Sequence, residues 1–408
     1  MREHVLTETS RRRFFKLLLA PLTLFPGMCS TLAQGGPPMR ALEQRIDSPG
    51  PKKILTLDGG GILGMISIEV LAQIEASLRT QLGSPTLVLA DYFDLVGGTS
   101  TGAVIATCLA LGMPVDSVRR FYLESGRQMF DKAFLLKRFY AKYEDDKLVA
   151  MLKDTIGSDT ELGTDRLRTL LMIVTRNVST DSPWPVSNNP RAKYNVLDRA
   201  DCNLRLPLWQ LVRASTAAPT YFPPEEVHFG GHDFIFVDGG VTPYNNPSFQ
   251  AFLMATLPEY RIGWPAEETQ MLIVSVGTGN RPRVDPTLSP AKMNLLYNAQ
   301  AIPSALIFGA QNQQDMLCRV FGRCRFGDPL DREIGDLKQT TPPGGKRLFT
   351  YLRYDADVSQ QGLADLGVVG VEPEQVQVMD SVEYIPQIQK VGQALGRRVC
   401  SEHFAGFV

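Results

Sequence analysis

Histidine is scarce in this sequence, which has only four in 408 residues. A Ser-His-Asp triad needs an imidazole to take the serine proton, so any triad here must use one of very few positions. The six cysteines do not stand at metal-site spacings, and we expect no bound metal. Neither sign of charge is in excess, because 42 Lys and Arg oppose 43 Asp and Glu, so electrostatics give no reason to expect nucleic acid as a partner.

The N-terminus lacks an apolar run long enough to span a membrane. Residues 17–25 are apolar but fall well short of the roughly 20 residues that spanning requires. They follow the basic cluster 10–16 and precede small residues that end at Ala33, which is the order of an export signal. The cluster also resembles the twin-arginine signal at each motif position. We expect a signal over 1–33 and a periplasmic or secreted protein, or a cytoplasmic one if the signal is not used. Residues 34–53, with four prolines, predict a linker.

The sequence around Ser100 predicts a serine at a sharp turn between a strand and a helix. Residues 92–96 suit a buried strand, and 103–111 have the Ala and Leu content of a buried helix. Gly98 and Gly102 flank the serine at Gly-x-Ser-x-Gly spacing, where only glycine avoids a steric clash. Such a turn projects the hydroxyl from the sheet edge, which makes Ser100 a candidate nucleophile. The alternative is an ordinary turn between two core elements.

A glycine loop follows the strand candidate 54–57. Gly59, Gly61 and Gly64 satisfy the Gly-x-Gly-x-x-Gly dinucleotide pattern, so an oxidoreductase that binds a dinucleotide is one alternative. That pattern requires an acidic residue about 20 positions later at the end of a second strand, where this chain instead continues a helix. Small residues at a helix start expose N–H groups in the positive potential of the helix dipole. We therefore predict that Gly59, Gly60 and Gly61 form an oxyanion hole.

A later strand candidate, 234–237, delivers Asp238 into the turn Gly239 and Gly240. A carboxylate in such a place can merely cap the next turn. Residues 241–247, however, are dense in turn formers and polar groups, which is typical of a functional loop. Asp238 is therefore a second candidate site residue.

These three motifs together resemble the patatin-like phospholipase family. That family has an Asp-Gly-Gly-Gly-x-Arg/Lys-Gly loop, a Gly-x-Ser-x-Gly elbow and a later Asp-Gly-Gly/Ala, in the order found here. The resemblance covers about 52–279 and implies a three-layer α/β/α sandwich, Ser100 as nucleophile, Asp238 as its general base and no cofactor. Leu63 departs from the pattern, because it stands where the family usually has Arg or Lys. This puts in doubt a cation beside the oxyanion, though not the backbone donors.

The base of the reaction is open to two interpretations. The chain order of α/β-hydrolases would allow a triad of Ser100, Asp238 and His403, whereas the resemblance implies a Ser-Asp dyad. A lone carboxylate is a weak base toward a hydroxyl unless loss of solvent raises its pKa. The dyad therefore predicts that Asp238 lies in a largely apolar pocket.

The sequence thus predicts one α/β hydrolase domain over 54–408, with its motifs in 54–279 and its completion in 280–408. We expect a phospholipid or other acyl-ester lipid as substrate, an acyl-enzyme intermediate and no nucleic acid; a catalytically silent lipid-binding protein is another possibility. The basic, aromatic stretch 132–143 predicts either transient contact with a membrane surface or a core helix with solvated lysines. Prolines in 182–193 predict a loop.

Overall fold

The computed structural model describes residues 37–130, 146–219, 221–280, 289–290 and 293–408. The predicted export signal and the stretch 132–143 lie outside the described residues. Pro37–Val408 form one compact unit.

The described residues build a nine-stranded mixed sheet. Its strands are β1 Lys52–Leu57, β2 Leu95–Thr99, β3 Leu170–Asn177, β4 Ser182–Ser187, β5 Glu225–Phe229, β6 His232–Asp238, β7 Met271–Val276, β8 Arg323–Phe326 and β9 Thr350–Tyr354. Hydrogen-bonded neighbours follow the path β5-β6-β3-β2-β1-β7-β9-β8, with β6 and β2 along the same edge of β3 and β4 along its other edge. The pairs among β3, β2, β1, β7, β9 and β8 are parallel, whereas β4 and β6 run antiparallel to β3.

Helices cover both faces of this sheet. They are α1 Pro37–Asp47, α2 Gly64–Gln81, α3 Leu89–Tyr92, α4 Thr101–Ala110, α5 Val115–Phe130, α6 Asp146–Ile156, α7 Leu208–Ser215, α8 Ser248–Thr256, α9 Leu295–Phe321, α10 Gln360–Asp365 and α11 Ile385–Gly396. Helices α2, α4, α5, α6, α7 and α11 contribute to one core, and α1, α8 and α9 to the other.

Alternation along the strands produces these two cores. Ile54 of β1 faces one core, and Leu55 and Leu57 face the other, because successive side chains of a strand point to opposite faces. The predicted three-layer α/β/α sandwich is confirmed. Among the described helices, Gly61–Gln81 has the length and apolarity to cross a membrane, but it is mostly buried against the sheet.

The N-terminal part of the predicted linker is helical instead. Leu42 and Ile46, one helical turn apart, are buried in the core beneath α1. Arg45 donates to the carbonyl oxygens of Ala90 and Phe93, both at 2.8 Å. This apolar pair and the anchoring arginine explain why α1 packs against the domain despite the prolines around it.

The predicted loop over 182–193 begins with a strand. Residues of β4 pair antiparallel with β3, and Pro183 and Pro185 lie within that pairing. Because the two prolines are two residues apart, both missing N–H groups fall on the side of β4 that faces away from β3. An edge strand tolerates proline in that position.

Candidate active site

Ser100 occupies the turn between β2 and α4. Its φ of 55° and ψ of −123° are rare for a residue with a side chain, which indicates strain held in place by the surrounding structure. A Cβ on Gly98 would collide with the carbonyl of Gly102, and one on Gly102 would collide with the carbonyl of Leu57. The Ser100 N–H donates to the hydroxyl of Ser215, the last residue of α7, at 2.9 Å, and this hydrogen bond helps to fix the turn. The expected strand, tight turn and helix are therefore present.

The register of the sheet places Asp238 beside Ser100. Thr99, the last residue of β2, pairs with Val174 of β3. Asp238, the last residue of β6, pairs with the next residue, Thr175. Since β4 occupies the other edge of β3 along this stretch, β2 and β6 share one edge and meet with their C-terminal ends facing each other. Ser100 Oγ donates to Asp238 Oδ2 at 2.6 Å.

The Asp238 carboxylate is removed from solvent. The residue is 4% exposed, and its second oxygen accepts the N–H of Gly240 at 2.6 Å. A Cβ on the neighbouring Gly239 would collide with the Val174 carbonyl, so the turn approaches β3 closely. Burial raises the pKa of Asp238 to about 6, although the hydrogen bonds from Ser100 and Gly240 oppose the rise. This is the environment that a carboxylate needs if it is to act as the base.

The glycine loop lies against the serine, since a Cβ on Gly59 would come within 3.2 Å of Ser100 Cβ. However, the Gly59 N–H donates to the carbonyl of Asn245 at 3.1 Å, so it is not available to an oxyanion. The N–H groups of Gly60 and Gly61 have no acceptor among the described residues. The predicted oxyanion hole is therefore narrowed to these two donors. Leu63 is 7% exposed and packs in the core, so the side chain at this position supplies no positive charge to an oxyanion.

His403 is engaged away from the serine. Its Nδ1 lies 2.7 Å from the hydroxyl of Tyr354, and its ring contacts Phe326. The sheet register aligns Tyr354 of β9 with Gly98 of β2, which lies two residues before Ser100. The two strands are three steps apart in the sheet, roughly 14 Å at the usual strand spacing. His228 pairs with Asp233 on the exposed β5–β6 hairpin. None of the described histidines is hydrogen bonded to the serine, which weakens the triad interpretation.

Several residues around the serine were not predicted from sequence. Ser215 and Asn245 hold the elbow and the glycine loop, but each is a common polar residue in a turn-rich stretch. Arg353 lies beneath the glycine loop and is 4% exposed. In the sequence, Arg353 is a single arginine among apolar residues of a strand, and this pattern is the only indication that its side chain is buried. A cavity of about 700 Å³ elsewhere is lined by Trp184 and Phe234, not by Ser100 or Asp238.

The fold and this geometry define an α/β protein with a serine at a strained turn, hydrogen bonded to a buried carboxylate. Residues 55–252 match the family model described as Patatin-like phospholipase. The chain is 30% identical over 253 residues to Patatin group J-1 and to Patatin-15 of Solanum tuberosum, and each alignment covers 57% of this chain and 62% of the relative. Over these residues the chain is similar to the patatin-like phospholipase family.

The chain spans about three-fifths of the length of these curated relatives. Among solved structures it is similar to VipD from Legionella pneumophila, at a TM-score of 0.34 and 15% identity, over 84% of this chain and 67% of that one.

Proposed function

We propose that this protein hydrolyses acyl-ester lipids, with phospholipids as the main substrate class, through a dyad of Ser100 and Asp238. The observation that carries the proposal is the 2.6 Å hydrogen bond from Ser100 Oγ to a carboxylate whose pKa burial raises to about 6. At neutral pH this carboxylate is mostly ionised, yet it is a stronger base than an exposed aspartate. The family match over 55–252 supports the lipid substrate.

The proposed reaction proceeds in two halves. In the first, Ser100 Oγ attacks the ester carbonyl and its proton passes to Asp238 Oδ2, while the N–H groups of Gly60 and Gly61 stabilise the oxyanion. The tetrahedral intermediate collapses, the alcohol leaves with the proton from Asp238, and the acyl group stays on Ser100. In the second, water attacks the acyl ester and gives a proton to Asp238. The fatty acid leaves as Ser100 recovers that proton.

Labelling with a fluorophosphonate tests the nucleophile directly. Wild type should be labelled and should hydrolyse short-chain esters and phospholipid vesicles, whereas Ser100→Ala should do neither. Ser158→Ala, at an exposed position, is the matched control and should behave as wild type. Wild type that binds vesicles without being labelled would instead support a silent lipid-binding protein.

The structure gives little room for a dinucleotide at the glycine loop. A Cβ on Gly60 would collide with Thr278, and one on Gly61 would collide with the Met379 carbonyl, so the chain fills the space next to the Cα atoms of these two glycines. That carbonyl also accepts the N–H of Ile62 at 2.9 Å. Titration with NADH, followed by fluorescence, should show no saturable binding; a saturable signal would favour the oxidoreductase.

We also propose export through a twin-arginine route, supported by the basic cluster 10–16 and the apolar run that follows it. Fractionation of cells that produce the full chain should place it in the periplasm or the medium. Contact of residues 132–143 with a membrane surface stays a prediction, because those residues lie outside the described part of the chain.

A further inference from the structure

A buried ionic cluster lies directly beneath the glycine loop. Asp58, the residue before Gly59, is completely buried and forms a two-point ion pair with Arg353, at 2.9 Å to Oδ1 and 2.6 Å to Oδ2. The same guanidinium donates to Asp355 at 2.7 Å. Burying three charges is costly, and a buried ion pair is weak evidence for a purely stabilising role. The cluster therefore calls for an explanation other than stability.

Two neighbours of the cluster hold the glycine loop or Asp58 itself, and a third contact links the strands beside them. Thr278, just beyond the end of β7, donates through Oγ1 to the carbonyl of Gly59 at 2.9 Å. Gln311 of α9 donates to Asp58 Oδ2 at 2.9 Å. Asp355 Oδ1 accepts the N–H of Gly279 at 2.9 Å, which ties the end of β9 to the end of β7. These contacts fix the position of the backbone on both sides of Gly59.

Arg353 affects the loop by fixing the orientation of Asp58, and not by the positive potential of its guanidinium. Its charge is compensated by two carboxylates within hydrogen-bond distance, so little positive potential remains for an oxyanion. A planar guanidinium that binds both oxygens of Asp58, however, fixes the orientation of that carboxylate and of the peptide that follows it. The oxyanion donors at Gly60 and Gly61 come next in the chain.

We propose that Arg353 is a positioning residue, which together with Asp58 and Thr278 fixes the glycine loop so that the N–H groups of Gly60 and Gly61 point at the developing oxyanion. This inference rests on the proposed hydrolase function. Arg353 and Thr278 lie beyond residue 252, where the family match ends. The C-terminal part of the chain therefore supplies a component of the active site as well as the end of the sheet.

Two pairs of conservative variants test this role. Arg353→Lys keeps the charge but loses the two-point contact, and its control is Arg319→Lys, which alters a similarly buried pair with Asp315 at 2.8 and 2.9 Å. Thr278→Val removes the hydroxyl at nearly constant volume. Its control is Thr350→Val, which removes a buried hydroxyl bonded to the Glu268 carbonyl at 2.9 Å. Neither control side chain is hydrogen bonded to the glycine loop or to Asp58.

The measurements are kcat, KM and inhibition by a trifluoromethyl ketone, which forms a tetrahedral serine adduct that carries an oxyanion. Arg353→Lys and Thr278→Val should each lower kcat by about tenfold or more, with KM changed less than about threefold. Inhibition by the ketone should weaken in parallel. The controls should keep kcat and inhibition near wild type, even if they lower Tm.

Folded variants at Arg353 and Thr278 with wild-type kcat and inhibition would overturn the inference. So would an equal loss of kcat in the two controls, because it would show a general effect of destabilisation. If Arg353→Lys does not fold, Thr278→Val decides by the same criteria. Wild type that neither hydrolyses esters nor reacts with a fluorophosphonate would overturn the proposed function and this inference with it, whereas active wild type with unaffected variants would overturn this inference alone.

Discussion

The pH dependence of ester hydrolysis should report the unusual environment of Asp238. Burial raises the pKa of its carboxyl from the usual 3.8 to about 6. The base must be ionised to accept the proton of Ser100, so kcat/KM should follow the ionised fraction. That fraction is about nine-tenths at pH 7 and about one-tenth at pH 5, and below pH 5 the rate should fall about tenfold for each pH unit.

The raised pKa of Asp238 should also make the folded state less stable as pH rises, whereas activity increases over the same pH range. An acid whose pKa is higher in the folded state binds its proton more tightly there, so folding becomes less favourable as pH rises from about 4 to about 6. Above pH 6 the ionised carboxylate costs stability, on the order of 3 kcal/mol for a pKa difference of about two units. Asp238→Asn can still accept the N–H of Gly240 and donate to the Ser100 hydroxyl. We therefore expect this variant to lose activity by orders of magnitude and to be more stable than wild type at pH 8.

The assay combines two measurements on the same samples. Initial rates with a short-chain ester from pH 4.5 to 8 give kcat/KM, and urea unfolding at pH 5 and pH 8 gives the free energy of unfolding. The stability gained in Asp238→Asn should be larger at pH 8 than at pH 5. A kcat/KM that stays nearly constant down to pH 4.5, or an equal change in stability at both pH values, would refute the assignment of Asp238 as a desolvated base.

The remaining predictions concern three other parts of the chain. Ser100→Ala should abolish hydrolysis and leave the fold intact, because it removes the nucleophile while the hydroxyl contributes little to packing; turnover in the purified variant would contradict the mechanism. His403→Ala should keep kcat near wild type and lose about 1 kcal/mol of stability with the Tyr354 contact, whereas a folded variant that has lost most of its kcat would support the triad. Changing Arg11 and Arg12 to Lys should retain the precursor in the cytoplasm, and normal export of that variant would exclude a twin-arginine route.

The residues of the candidate site were predictable where local chain geometry dictates them. The glycines around Ser100 leave one practical conformation for the turn, and the strand and helix on either side are recognisable from composition. The partnership with Asp238 is different, because it depends on β2 and β6 meeting along the same edge of β3. No local pattern specifies that register, and only the family resemblance suggested it.

Long-range contacts also account for what sequence reasoning missed. The sequence of the glycine loop does not show which of its N–H groups is free. The N–H of Gly59 is bonded to the carbonyl of Asn245, which lies far along the chain. Strand β4 was not predicted because Pro183 and Pro185 are typical of loops. A proline destabilises a strand only where its missing N–H would face the partner strand, and the sequence does not show which edge that is. Helix α1 was hidden by the prolines that surround a single apolar pair.

Asp58 and Asp238 illustrate how the same buried group receives two different tasks. Both oxygens of Asp58 are bound by Arg353, and a carboxylate held in this way is fixed in place and has no free oxygen to accept a proton from a substrate or a serine. The Asp238 oxygens accept only a hydroxyl and a backbone N–H among the hydrogen bonds of the described chain, so its negative charge is poorly compensated. Burial of this charge raises the pKa of Asp238 to about 6 and makes it a stronger base than an exposed aspartate. Exchanging these environments would therefore remove the base and loosen the glycine loop together, which is why the two carboxylates are not interchangeable.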